Sequence, residues 1–206
     1  MIEPAPQRPA SVWNVANALT ALRLVLVPVF AWLLLHRGGH STAWRLAATA
    51  TFVVAGLTDR FDGELARRRG LITDVGKIAD PIADKALMGT ALVGLSLLGE
   101  LPWWVTVVVL VREIGITVLR LLVLPHGVMP AGRGGKLKTA VQALAIGLYL
   151  LPLAQLPVPR LWHAVAVAVM GVAVLLTVVT GAEYVVQAVR LVRASERTAA
   201  RRVERS

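Results

Sequence analysis

Four aspartates in two neighbouring segments have the spacing that carboxylates on helices need in order to converge. Asp59 and Asp62 are three residues apart, and Asp80 and Asp84 are four residues apart. Residues at these separations lie on one face of an α-helix. Carboxylates held close together cannot all ionise without compensation, and hard divalent cations supply it through oxygen ligands. The two pairs therefore predict a divalent-metal site on two consecutive helices joined by a short loop.

Small residues and an arginine accompany the acids in the same helical register. Gly63, Ala66 and Arg67 fall on the face of the first aspartate pair, and Gly76 stands one turn before the second pair. Gly63 and Ala66 leave room for a ligand to lie close to the backbone. The guanidinium of Arg67 can pair with phosphate oxygens. This combination indicates a pocket for a phosphorylated ligand beside the acids.

For either aspartate pair taken alone, a structural role is an alternative to metal binding. Asp80 precedes Pro81 and could cap the N-terminus of a helix. Asp59 and Asp62 could pair with nearby basic side chains at a solvated helix end. The two pairs occur together with the small residues and Arg67 in register, and this favours the metal site.

The composition indicates that these segments belong to a helical protein embedded in a membrane. Of the 206 residues, 56% are hydrophobic and 17% are charged, and the mean hydropathy is +0.68. A soluble domain has about 25% charged residues. We predict an all-α integral membrane protein with six transmembrane helices, each near the ~20 residues that cross a bilayer. The predicted helices span residues 19–36, 44–67, 78–98, 102–124, 137–153 and 161–190.

Basic residues are distributed unevenly between the predicted connections. If the N-terminus is cytoplasmic, 17 Lys and Arg lie in inner segments, three in outer loops and two within helices. Because cytoplasmic loops carry an excess of these residues, we predict an inner-membrane protein with both termini and a polar cavity on the cytoplasmic side. The predicted parts are a cytoplasmic segment 1–18, a six-helix domain 19–190 and a basic cytoplasmic tail 191–206. The basic tail has a second interpretation, which is specific recognition of anionic lipids.

Charge and residue content exclude several other classes of protein. The net charge of +10 suits an anionic membrane surface. Aromatic residues make up only 5% of the chain, so we predict no nucleic-acid partner. The absence of cysteine excludes a thiol nucleophile and a zinc–thiolate site.

The aspartate segments fit a longer motif at every fixed position. The pattern D-x2-D-G-x2-A-R-x8-G-x3-D-x3-D is matched by Asp59, Asp62, Gly63, Ala66, Arg67, Gly76, Asp80 and Asp84. In this motif the chain resembles the CDP-alcohol phosphatidyltransferase family, and the resemblance extends over most of its length. Members of that family transfer a phosphatidyl or similar group from a CDP-linked donor to an alcohol and release CMP.

The resemblance implies roles for individual residues. It implies that Asp59, Asp62 and Asp80 bind Mg²⁺ or Mn²⁺ in a two-metal site. Asp84 would be the general base and a further metal ligand. It also implies six helices with cytoplasmic termini, and commonly a homodimer. The residues assigned to the CDP pocket are Asn17, Thr20, Gly63, Ala66, Arg67 and Gly76.

Three flanking segments resemble the branch of the family that uses CDP-diacylglycerol and glycerol 3-phosphate. They are NALTALR from Asn17, REIGITVLR from Arg112 and GKLKT from Gly135. The first departs slightly, since a proline commonly stands where this chain has Ala16. The four basic residues predicted to bind the acceptor phosphate are Arg112, Arg120, Lys136 and Lys138.

Alternatives to this acceptor site follow from the same residues. Arg120, Lys136 and Lys138 could merely reflect the excess of basic residues on the inner side, and Arg112 with Glu113 could be a structural pair. An inositol phosphate acceptor would need similar cations, and phosphatidylglycerol is another acceptor in the family. A cation transporter with intramembrane acids and a membrane scaffold protein are the more distant alternatives.

Overall fold

Helices account for most of the described chain. A computed structural model describes the backbone of residues 15–69, 74–127 and 133–203, and within them the side chains of 17–58, 82–125, 127 and 134–195. These residues contain no β-strand. The helices are α1 (Val15–Leu35), α2 (Thr42–Arg69), α3 (Asp74–Leu97), α4 (Trp103–Val123), α5 (Arg133–Leu150) and α6 (Pro159–Val203). The all-α prediction is therefore confirmed for the part of the chain that the structure describes.

The helix bounds lie within four residues of the predicted ones, with one exception. The sixth helix is predicted to end at residue 190, whereas α6 continues to Val203. The chain has neither glycine nor proline after Gly181, and its last part is rich in Ala, Arg and Glu. These residues have high helix propensity, so the helix continues beyond the end of its apolar part.

Long apolar helices and exposed apolar surface fit a membrane environment. Two segments, Asn17–Gly39 and Pro159–Ser195, are long and apolar enough to cross a membrane. On α4 an exposed stripe runs along the helix at intervals of three or four residues. Its members are each 46–65% exposed: Trp104, Val107, Val111, Ile114, Val118 and Leu121. Soluble monomers rarely expose contiguous apolar patches of this extent.

The first of two compact units contains α1, α2 and α3. Phe30 and Leu34 of α1 are fully buried, and the ring centroid of Phe30 lies 5.8 Å from that of Phe52. At Gly94 of α3, a β-carbon would lie 2.6 Å from Leu34 Cδ2. Glycine at this position therefore lets α3 approach α1 closely, and this packing holds the two helices that carry the aspartates.

The second compact unit pairs α4 with α6 and includes most of α5. Val105 and Val109 of α4 are buried, and so are Ala166 and Ala173 of α6. Small residues such as these two alanines let helix backbones approach each other closely. Polar side chains are also buried in this unit: Thr106, Lys138, Gln142, Thr177 and Thr180.

Candidate active site

The two aspartate pairs lie on consecutive helices of the first unit. Asp59 and Asp62 belong to α2, and Asp80 and Asp84 belong to α3. A continuous helical backbone sets each pair on one helix face, which is the predicted register. The side chains of Asp59, Asp62 and Asp80 lie outside the described residues. That of Asp84 is half-buried and has an interaction partner.

The residues predicted for the CDP pocket also belong to the first unit. Gly63, Ala66 and Arg67 lie in α2 and Gly76 lies in α3, and the surroundings of all four fall outside the described residues. Asn17 and Thr20 lie in the first turns of α1. The side chain of Thr20 is buried, that of Asn17 is half-buried, and both have interaction partners.

The donor set of the aspartate motif fits a hard divalent cation. Its four acidic residues supply only carboxylate oxygens, which Mg²⁺ and Mn²⁺ prefer over nitrogen or sulfur. Among the described side chains, no three acidic or histidine groups converge, and three of the four aspartates lie outside that set. The fit therefore rests on the chemistry of the residues and on the helical register.

A partly buried cluster of charged residues lies in the second unit, and Glu113 is its centre. Arg112 Nη1 donates a hydrogen bond of 2.8 Å to Glu113 Oε1, and the ammonium group of Lys138 donates to the same oxygen. The side chain of Lys138 is 3% exposed and that of Arg112 is 14% exposed. One carboxylate thus compensates two cations, and the three side chains keep a net positive charge.

Two residues of α6 contact the arginines of α4. Arg112 Nη2 donates to Thr180 Oγ1 over 2.9 Å, and Arg120 Nη2 donates to Tyr184 Oη over 2.8 Å. The guanidinium carbons of Arg120 and Arg112 lie 4.7 and 5.7 Å from the centroid of the Tyr184 ring. Both distances lie within the range of cation–π attraction. A single aromatic ring therefore contacts two of the predicted phosphate-binding arginines.

Unsatisfied polar atoms accompany these contacts. Within the described part of the second unit, Arg112 Nε and Gln142 Oε1 are buried atoms without a hydrogen-bond partner. A buried donor without an acceptor is costly, and more so when it is charged. An anionic oxygen would satisfy Arg112 Nε and would be attracted by the net charge of the cluster. The arrangement is therefore suited to bind an anion such as a phosphate.

The predicted acceptor residues differ in their surroundings. Arg112 and Lys138 meet at Glu113, so the ion pair considered in the sequence analysis exists. Arg120 pairs with Tyr184, and Lys136 is exposed on α5. The sequence-based prediction gives α6 only a membrane-crossing role and misses its contribution to this cluster. The spacing of Thr180 and Tyr184 by four residues places two polar side chains on one face of an apolar helix, which indicates a polar role for that face but does not identify its partners.

Comparisons with known proteins connect most of the chain to one family. The model of the CDP-alcohol phosphatidyltransferase family matches residues 13–199. A probable phosphatidylglycerophosphate synthase of Mycobacterium tuberculosis is 56% identical over 190 residues, which are 92% of this chain and 88% of that protein. The CDP-diacylglycerol–glycerol-3-phosphate 3-phosphatidyltransferase of Bacillus subtilis is 36% identical over 84% of this chain and 94% of its own length. A CMP-forming cardiolipin synthase of Streptomyces coelicolor is 37% identical over 89% of this chain and 86% of its own length.

Proposed function

The chain belongs to the CDP-alcohol phosphatidyltransferase family, and from this premise we propose that it makes phosphatidylglycerophosphate. It transfers the phosphatidyl group of CDP-diacylglycerol to glycerol 3-phosphate and releases CMP. The observation that carries the chemistry is the complete aspartate motif on two consecutive helices. The choice of acceptor is supported by the relatives named for this reaction. The protein is thus a transferase of phospholipid biosynthesis.

The donor side of the reaction is assigned to the first unit. Asp59, Asp62 and Asp80 would hold Mg²⁺ or Mn²⁺, and Asp84 is a further candidate ligand. When bound, such ions neutralise negative charge on the diphosphate and on the departing CMP. Arg67 would pair with the diphosphate, where its fork of N–H donors matches phosphate oxygens. The remaining residues assigned to the CDP moiety are Asn17, Thr20, Gly63, Ala66 and Gly76.

The transfer is a displacement at the phosphorus that carries diacylglycerol. The primary hydroxyl oxygen of glycerol 3-phosphate forms a bond to this phosphorus, and the bond from the phosphorus to the CMP oxygen breaks. Asp84 accepts the proton of the attacking hydroxyl. A positioned general base of this kind contributes about 10²–10⁴-fold to a rate.

The acceptor phosphate is assigned to cations of the second unit. Arg112, Arg120 and Lys136 would bind it, because a phosphate dianion requires several converging cationic donors. Lys138 is the weaker candidate, since its ammonium group already pairs with Glu113 and is buried. Lys136→Ala should raise the KM for glycerol 3-phosphate far more than the KM for CDP-diacylglycerol. Equal changes in both KM values would contradict this assignment.

The membrane arrangement is part of the proposal. We infer six membrane-spanning helices, cytoplasmic termini, the cytoplasmic (inner) membrane as the location, and a homodimer. The uneven distribution of Lys and Arg and the exposed apolar stripe on α4 support it. The chain contains no cysteine, so single cysteines at the exposed His40 and at Ser206 are suitable probes of topology. A membrane-impermeant maleimide should label His40→Cys from outside intact cells and Ser206→Cys only after the cells are opened. Labelling of both in intact cells would contradict the topology.

A second acceptor is favoured by one specific observation, the similarity to the CMP-forming cardiolipin synthase. That name implies phosphatidylglycerol in place of glycerol 3-phosphate. The two possibilities are separated by supplying purified protein and CDP-diacylglycerol with glycerol 3-phosphate, inositol phosphate or phosphatidylglycerol in parallel. We expect CMP release above background only with glycerol 3-phosphate. Release with phosphatidylglycerol alone would assign the protein to cardiolipin synthesis and leave the family assignment intact.

A further inference from the structure

We propose that Thr180 and Tyr184 of α6 are positioning residues, which hold the guanidinium groups of Arg112 and Arg120 in the orientation that binds the acceptor phosphate. The inference rests on the proposed function, because it concerns the acceptor of that reaction. Each arginine of α4 donates to a different hydroxyl of α6, Arg112 to Thr180 and Arg120 to Tyr184. Arg112 and Arg120 are two helical turns apart on α4, whereas Thr180 and Tyr184 are one turn apart on α6. The ring of Tyr184 lies near both guanidinium groups.

The hydroxyl of Thr180 is fixed before any ligand arrives. It donates to the carbonyl oxygen of Leu176 over 2.6 Å, so its proton is engaged within α6. The oxygen is then left to accept from Arg112 Nη2. With Nη1 donating to Glu113, both terminal nitrogens of the guanidinium are anchored. Nε is the buried donor of this group that has no partner. The anchoring therefore fixes the plane of the guanidinium and the direction in which its unsatisfied N–H points.

Tyr184 has the same role for a more exposed side chain. Arg120 is exposed, and a long exposed arginine has many rotamers that binding would have to select. The Tyr184 hydroxyl accepts from Arg120 Nη2, and its ring attracts the cation at 4.7 Å. A side chain that is already ordered loses less entropy when it binds a ligand, so its affinity is higher.

Two glycines lie beside these contacts, and Gly181 makes room for one of them. At Gly181, next to Thr180, a β-carbon would lie 3.3 Å from Arg112 Cγ. At Gly135 of α5, a β-carbon would lie 3.6 Å from Tyr184 Oη. The stem of Arg112 thus passes directly over the backbone of α6, and α5 begins close to the tyrosine hydroxyl.

The test compares conservative variants of the full-length enzyme at both α6 positions. Thr180→Val and Tyr184→Phe remove one hydroxyl each with little change in shape, and Thr180→Ser keeps the hydroxyl. The matched control is Thr177→Val, since Thr177 is also buried and donates to the carbonyl of Ala173 within the same helix. The measurements are kcat, the KM for glycerol 3-phosphate, the KM for CDP-diacylglycerol and the Tm of each purified variant.

We expect a selective loss of affinity for the acceptor. Thr180→Val and Tyr184→Phe should raise the KM for glycerol 3-phosphate about tenfold or more, as expected when a hydrogen bond to a charged group is lost. The KM for CDP-diacylglycerol should change by less than about twofold, within the scatter of distant substitutions. Thr180→Ser should behave as the wild type, and so should Thr177→Val.

Three outcomes would overturn the inference. The first is an equal change in the KM for glycerol 3-phosphate and the KM for CDP-diacylglycerol. The second is a KM for glycerol 3-phosphate that is unchanged in both Thr180→Val and Tyr184→Phe. The third is a rise in this KM that is as large in Thr177→Val as in Thr180→Val. A lowered Tm with unchanged KM values would assign these residues to folding alone, which also contradicts it. Failure of the proposed function has a different signature, because the wild type would then release no CMP with glycerol 3-phosphate.

Discussion

Removing the charge of Glu113 should destabilise the second unit, because this carboxylate pairs with both Arg112 and the buried Lys138. The side chain of Lys138 is 3% exposed and that of Arg112 is 14% exposed, so water can replace the lost partner only in part. Breaking a buried ion pair by removing one partner costs about 3–5 kcal/mol. Glu113 itself is 23% exposed, which favours the lower end of this range. We therefore expect Glu113→Gln to lower the free energy of unfolding by about 3 kcal/mol.

A double-mutant cycle distinguishes the loss of this ion pair from general damage. Lys138→Met removes the ammonium group that pairs with Glu113 and keeps a side chain of similar length. Combined with Glu113→Gln, it should restore part of the lost stability, and the two substitutions should couple by more than about 1 kcal/mol. Lys136→Met is the matched control, because Lys136 lies two residues away on α5 and is exposed. Unfolding of the purified protein by SDS titration measures each free energy.

Additive effects would refute this reasoning. If Glu113→Gln and Lys138→Met destabilise independently, the carboxylate does not compensate the lysine. If Lys136→Met couples to Glu113→Gln as strongly as Lys138→Met does, the coupling energy arises from the overall positive charge of the basic residues and not from the ion pair. A Glu113→Gln protein as stable as the wild type would show that the cluster is solvated.

Three further predictions concern the aspartates and the packing of the first unit. Asp80→Ala should abolish metal-dependent CMP release, since the proposed metal site would lose a hard-oxygen ligand; release comparable to that of the wild type would contradict the metal site. Asp84→Asn should lower kcat by about 10²–10⁴-fold, while the variant still binds CDP-diacylglycerol in part. An unchanged kcat would mean that another group is the general base. Gly94→Ala should cost about 1–3 kcal/mol of stability through overpacking against the buried Leu34. At Gly56 no neighbouring atom lies within 4 Å of an added β-carbon, so Gly56→Ala should stabilise the helix by up to about 1 kcal/mol. Thermal unfolding that ranks Gly94→Ala as more stable than Gly56→Ala would contradict the packing.

Much of the helical architecture could be predicted because hydropathy and turn residues act locally. Helices of 18–28 residues form where apolar runs end at Gly, Pro or charged residues, as at both ends of α4. The end of α6 could not be predicted in this way. The residues after position 190 have low hydropathy but high helix propensity. A prediction based on the length of the apolar segment therefore ends the helix too early.

The candidate site was predictable only where its residues are close in sequence. The aspartate motif depends on spacings within two helices, and the family it indicated is confirmed by the match over residues 13–199. The contacts of Thr180 and Tyr184 join residues 68 and 64 positions apart. No periodicity predicts such contacts, because they depend on which helices pack together. The sequence likewise could not distinguish the buried Lys138 from the exposed Lys136, since both fit an excess of basic residues on the inner side.

The central claim is that this chain joins glycerol 3-phosphate to the phosphatidyl group of CDP-diacylglycerol. The most direct test supplies purified protein with CDP-diacylglycerol, Mg²⁺ and isotopically labelled glycerol 3-phosphate, and measures CMP together with label in the lipid fraction. We predict that one labelled lipid molecule forms for each CMP released, and that neither product forms when the divalent metal is chelated. Release of CMP without labelled lipid, or the absence of both products in the complete mixture, would contradict the claim.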